Sequence, residues 1–85
     1  MRHFASPAFW RAYRRLPEPV RRLADRSFDI MKTNPRHPGL NLKRIGRIWS
    51  ARVGLGYRAL GADAGGDIVW FWIGSHADYD KMLKR

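Results

Sequence analysis

The stretch 49-WSARVGLGYRAL-60 decides the fold. Trp49, Ala51, Val53 and Leu55 alternate with Ser50 and Arg52. A period of two puts the first set on one face of a strand and the second on the other. Gly54 and Gly56 permit a bulge or tight bend. From Tyr57 to Ala62 a second strand is predicted. The segment therefore reads as two strands joined by a glycine-containing turn.

Downstream, 63-DAGG-66 is a hairpin signal between apolar runs. Ile68 to Ile73 is apolar at every position, which predicts a central strand covered on both faces. A short helix, roughly Ala77 to Leu83, is expected after Ser75. Upstream, Leu40, Leu42 and Ile45 suggest another short strand, and 36–39 a loop.

Further toward the N-terminus the period changes to that of a helix. Ser6-Pro7 is a helix start, with Ser as N-cap and Pro at the first helical position. Phe9, Trp10, Tyr13 and Leu16 follow at spacings of three and four. Pro17 and Pro19 end that helix, and Pro19 opens the next. There Val20, Leu23, Ala24, Ser27, Phe28 and Met31 form one apolar stripe. Asn34-Pro35 stops it, because a residue before proline avoids the helical region. Arg2 to Ala5 can form an edge strand. The predicted class is α+β: an N-terminal strand, a two-helix hairpin packed on an antiparallel β-meander, and a short C-terminal helix. A single domain over 1–85 is expected, with no linker and no repeat.

Composition narrows the function. Seventeen Lys+Arg face seven Asp+Glu, a formal net charge of +10. Thirteen of the cations are Arg, whose planar fork suits phosphate oxygens and stacks on flat rings. Such a chain is drawn to nucleic acid or to an acidic protein. No cysteine is present, which excludes a disulfide framework and a cysteine-based zinc site. His3, His37 and His76 lie far apart, no HExxH occurs, and no metal or other cofactor is expected. No apolar run nears the roughly 20 residues of a membrane span, and nothing resembles a signal peptide. A cytoplasmic protein with no membrane partner is the expectation.

Motifs for chemistry are sparse. Gly54-Leu55-Gly56 lacks the spacing of a phosphate loop. Lys43, Arg52 and Arg58 fall on predicted strands. Cations on an exposed sheet face form either a platform for a phosphate backbone or an ordinary solvated surface. His76 and Tyr79 follow the last strand. His76 can exchange a proton near neutrality or cap the helix. Tyr79 can meet a base or pack on the core.

The run 49-WSARVGLGYRAL-60 followed by 68-IVWFWIGSHADY-79 resembles toxins of the RelE/ParE superfamily. These show an Arg-Val-Gly and Tyr-Arg strand pair, then an apolar strand ending near His or Arg, with Tyr shortly after. Ser6-Pro7-Ala8-Phe9, Leu16-Pro17 and Asn34-Pro35 are similar too, so the resemblance spans nearly the whole chain. It implies a toxin of a type II toxin–antitoxin system, with a cognate antitoxin as partner. Many such toxins are metal-independent, ribosome-dependent mRNA endonucleases that inhibit translation. By position, the resemblance implies that Arg58, His76 and Tyr79 are catalytic. Lys43 and Arg52 would hold the RNA. The 2′-hydroxyl would attack the adjacent phosphate, leaving a cyclic or 3′-phosphate and a 5′-hydroxyl. Ser50 stands where the nuclease branch often carries a cation. The ParE branch, which inhibits DNA gyrase on the same fold, therefore stays open, as does a non-toxic interaction module.

Overall fold

The structure, a computed structural model, describes residues 1–83, so the last two positions of the expected domain lie outside it. Ser6 caps α1 (Pro7–Arg14): its Oγ accepts from the Phe9 N–H at 3.3 Å. This satisfies one of the orphan donors of the first turn. Pro17 precedes α2 (Glu18–Thr33), one residue earlier than Pro19 suggested. The guanidinium of Arg21 donates to the Leu16 carbonyl, which the proline break leaves without a helical partner. Tyr13 ties the helices together by donating to Asp25 at 2.8 Å.

Five strands follow the predicted plan: β1 (His3–Ala5), β2 (Lys43–Ile45), β3 (Ile48–Val53), β4 (Tyr57–Ala64) and β5 (Asp67–Ser75). Their order across the sheet is β1-β5-β4-β3-β2. Strands β2 to β5 form the antiparallel meander, and β1 pairs parallel with β5. Thus β5 lies inside the sheet, between β1 and β4, while β4 holds the middle. The β4–β5 turn is Gly65-Gly66, with φ +62° and +96°. Two central residues with positive φ suit the twist of a tight hairpin. Helix α3 (His76–Leu83) closes the described chain.

Two local expectations shift. The strand expected from Leu40 begins only at Lys43, because Pro38–Leu40 forms a 3-10 turn, with His37 Nδ1 accepting from Gly39 N–H at 3.0 Å. Leu40 is nonetheless buried in the core. Leu55 does not share the core face of Val53. Strand β3 stops at Val53, Gly54 turns at φ +61°, and Leu55 sits at the tip, 94% exposed.

The apolar stripe of α2 packs Val20, Ala24 and Met31 onto Ala51, Val53, Ala59, Ile68, Trp70 and Ile73 of the sheet. Each large side chain fully removed from water contributes about 1.5–3 kcal/mol. A bulge explains how Ile68, Trp70 and Ile73 all reach this core despite their odd spacing. Leu60 pairs with Trp72 but Gly61 pairs with Trp70, so Phe71 is the extra residue. The inserted residue reverses parity beyond it. Ile73 consequently faces the core, while Trp72 and Gly74 turn to the other face beside Leu60 and Arg58.

The core is not sealed. A cavity of about 280 Å³ remains between the helices and the sheet. Phe4, Trp10 and Phe28 stand at its rim, each more than 40% exposed. Phe28 therefore belongs to the rim of the apolar stripe, not its buried centre. No described helix is long and apolar enough to cross a membrane.

Candidate functional site

The second sheet face carries the cations. In the β3–β4 register Arg52 is directly opposite Arg58, and Arg58 is directly opposite Gly74 on β5. The adjoining row is Lys43, Ser50, Leu60 and Trp72. Alternation on each strand puts both rows on one face, away from Ala51, Val53 and Ala59. Like charges opposite one another destabilise a sheet unless something neutralises them. Among the described residues, no salt bridge supplies a carboxylate to Lys43, Arg52 or Arg58.

Helix α3 folds over this face. Ser75 Oγ accepts from the Asp78 N–H at 3.1 Å, and the His76 N–H donates to the Gly56 carbonyl at 2.8 Å. These bonds fix the start of α3 against the β3–β4 turn. Tyr79, one turn on, is 7% exposed. The Cζ of Arg58 lies 5.2 Å from the Tyr79 ring centroid, a cation–π contact. Among the described residues, Nε and Nη1 of the same guanidinium are buried without a hydrogen-bond partner.

His76 is about half exposed. Its ring lies 5.8 Å from that of Tyr79, and its Nδ1 lies 3.2 Å from Asp80 Oδ2. With Nδ1 engaged, Nε2 is the nitrogen free for proton transfer. Four of the five expected residues thus form one neighbourhood: Arg52, Arg58, Tyr79 and His76. Lys43 shares the face but is exposed on β2, two strand spacings from β4, about 10 Å. Asp80 escaped the sequence reading, although its position four residues after His76 on a helix was the available signal. Among the described residues, no cluster of His, Cys, Asp and Glu is arranged to hold a metal ion.

Beyond its own geometry, the chain matches the family model of the ParE-like toxin domain over residues 19–81. The chain belongs to this family. No curated protein matches it. Solved structures agree with the ParE-like domain on fold. The RelB-RelE antitoxin-toxin complex of Methanococcus jannaschii is similar with TM-score 0.68 and 16% identity, covering 94% of this chain and 98% of that one. The isolated RelE toxin of E. coli gives 0.63 and 16%, covering 99% and 96%. A YoeB/ParE toxin from Agrobacterium tumefaciens gives 0.64 and 14%, covering 89% and 99%. The ParE-like domain therefore keeps the RelE-type fold while sharing few residues with these relatives.

Proposed function

We propose that this ParE-like toxin domain is a metal-independent endoribonuclease that cuts mRNA on the ribosome and so inhibits translation. The observation that carries this reading is the Arg58 guanidinium. It is held over Tyr79, faces Arg52 across the strands, and has two buried nitrogens without a hydrogen-bond partner among the described residues. Buried donors left unpaired are costly. A phosphate oxygen neutralises both arginines, and it reaches the two buried nitrogens once the side chains covering them move aside.

In the proposed step, O2′ of a ribose attacks the neighbouring phosphorus and gives its proton to Nε2 of His76. The P–O5′ bond breaks, and O5′ takes a proton from water. The products are a 2′,3′-cyclic phosphate and a 5′-hydroxyl, and the imidazolium returns its proton to solvent. Arg58 and Arg52 stabilise the charge that builds on the phosphate. Tyr79 serves by positioning Arg58. Lys43 attracts the RNA strand farther along the face. The domain does little to align a substrate by itself, so dependence on a ribosome that positions the mRNA is expected. Its target puts its action in the cytoplasm.

A cognate antitoxin is the expected partner, as in the RelB-RelE complexes of Methanococcus jannaschii, Pyrococcus horikoshii and E. coli. The exposed Phe4, Trp10 and Phe28 offer it an apolar anchor, and the net charge of +10 favours acidic segments.

The test is induced expression with transcriptome-wide mapping of RNA 5′ ends, for the wild type and for Arg58→Ala. Clustered cuts in reading frame that vanish in the variant support the nuclease. Intact mRNA with gyrase–DNA cleavage complexes would instead establish gyrase inhibition. Normal growth without either would establish a non-toxic interaction module.

A further inference from the structure

A groove of about 440 Å³ runs along the outer side of β5, between that strand and α1. This is the scale of sites that hold small ligands, about 300–1,000 Å³. It exists because β1 pairs with β5 only at Ile68, Val69 and Trp70, so no strand covers β5 beyond that point among the described residues. Arg11 on α1 and Arg15, the residue that caps its C-terminus four positions on, line one wall. Both are exposed, and among the described residues no salt bridge involves either.

Trp72 lines the other wall. Its indole lies across Gly74 so closely that a Cβ there would come within 2.4 Å of the ring. Only glycine allows the ring to lie flat at that position. Gly74 is also the cross-strand partner of Arg58. The indole therefore adjoins the candidate phosphate site, and Ser75 and Asp78 extend the groove to the start of α3. A flat aromatic surface beside the arginine proposed to bind phosphate, with two arginines opposite that no carboxylate pairs among the described residues, has the chemistry of a single-stranded nucleic-acid track. Among the described lining residues Asp78 is the sole carboxylate, so the wall is net cationic.

We infer that this groove carries the single-stranded RNA adjoining the scissile phosphate, with a base stacked on Trp72 and its backbone held by Arg11 and Arg15. The inference rests on the nuclease reading for its ligand. It adds a binding track outside the Arg52–Arg58 row.

The probe is a short, uncleavable 2′-O-methyl oligoribonucleotide carrying fluorescein, titrated by anisotropy across a salt series. Trp72→Leu is expected to weaken binding about ten-fold, the scale of one lost base stack. Trp72→Phe should recover most of that loss. Arg11→Gln with Arg15→Gln should reduce the salt slope by about one unit, as for the loss of one or two phosphate contacts. Unchanged affinity and salt slope in folded Trp72→Leu and Arg11→Gln/Arg15→Gln proteins would overturn the inference. So would a loss confined to an oligoglutamate peptide, which assigns the groove to an acidic protein segment. Groove variants that lose RNA affinity in a protein that cuts no RNA uphold the track and sink the nuclease reading. Groove variants that bind and cleave normally, while Arg58→Ala does not cleave, sink the track and spare the nuclease.

Discussion

Arg58 and Tyr79 meet across two elements: the guanidinium carbon of a β4 residue sits 5.2 Å from the ring centroid of an α3 residue. The ring holds one face of the cation, while Nε and Nη1 have no hydrogen-bond partner among the described residues. This pairing fixes the guanidinium in place without neutralising it. A function that requires an anion explains the arrangement, since stability alone would favour a carboxylate or an apolar residue there.

That conflict gives the first prediction. Arg58→Met should raise stability by about 1 kcal/mol, because two unsatisfied buried donors disappear and only a cation–π contact is lost. The same change should lower RNA cleavage about a hundred-fold or more, the usual effect of removing a group that stabilises developing charge. Thermal denaturation beside a single-turnover cleavage assay checks both directions. A variant that is less stable and fully active contradicts the proposed role.

His76 and Asp80 form the second case. His76→Ala should reduce the cleavage rate by about 10²–10⁴-fold, the range of a lost general base. Asp80→Asn should cause a smaller loss and change the imidazole tautomer. The 3.2 Å contact to Nδ1 favours the Nδ1–H form and frees Nε2. Imidazole ¹⁵N chemical shifts report that tautomer without any activity measurement. Identical shifts in wild type and Asp80→Asn would show that the carboxylate does not orient the ring.

Stability should depend on pH through His3. Burial, and then the charge of the N-terminus, hold its imidazole below the ordinary value of 6.5, with Asp67 opposing weakly. The neutral ring also accepts from Trp70 Nε1 at 3.2 Å and stacks on that indole. In the folded state the ring binds a proton less readily than in the unfolded chain. Its contribution is therefore complete above pH 6.5 and is lost as pH falls toward the lower folded value. The melting temperature should drop between neutral and mildly acidic pH, and His3→Gln should flatten that dependence. An identical pH profile for the variant would remove His3 as the source.

Gly61 provides a test of packing. A Cβ there would lie 2.5 Å from Ile68 Cγ2 and 3.0 Å from the Trp70 ring, both in the buried core. Gly61→Ala should destabilise by about 1–3 kcal/mol through overpacking at the β4–β5 bulge. For a domain of this size that is a fall in Tm of about 4–8 °C per kcal/mol. Gly65→Ala meets no neighbouring atom, and its effect should come from the positive φ alone. A double-mutant cycle separates the two origins: Ile68→Ala removes the crowding Cγ2, so Gly61→Ala should cost less in that background, whereas the cost of Gly65→Ala should not change.

Much of this molecule was legible in one dimension. Ser6-Pro7, Asn34-Pro35 and Gly65-Gly66 set element boundaries, because capping, proline sterics and positive φ act within a few residues. Periodicity assigned the inward faces of α2 and β3, and with the turns it gave the order of elements. Parity put Arg52 on the face opposite Ala51 and Val53, but only the β3–β4 register put Arg58 on the same face. What the sequence could not decide was everything set by contacts distant along the chain. The parity reversal at Phe71 brings Trp72 and Gly74 beside Arg58, and it depends on how β5 registers against β4. Likewise, Tyr79 finds Arg58, and Lys43 stays apart, only because α3 folds over the middle strand and β2 takes the edge. Local sterics are written residue by residue, whereas the partners of a buried cation are chosen by the packing of the whole sheet.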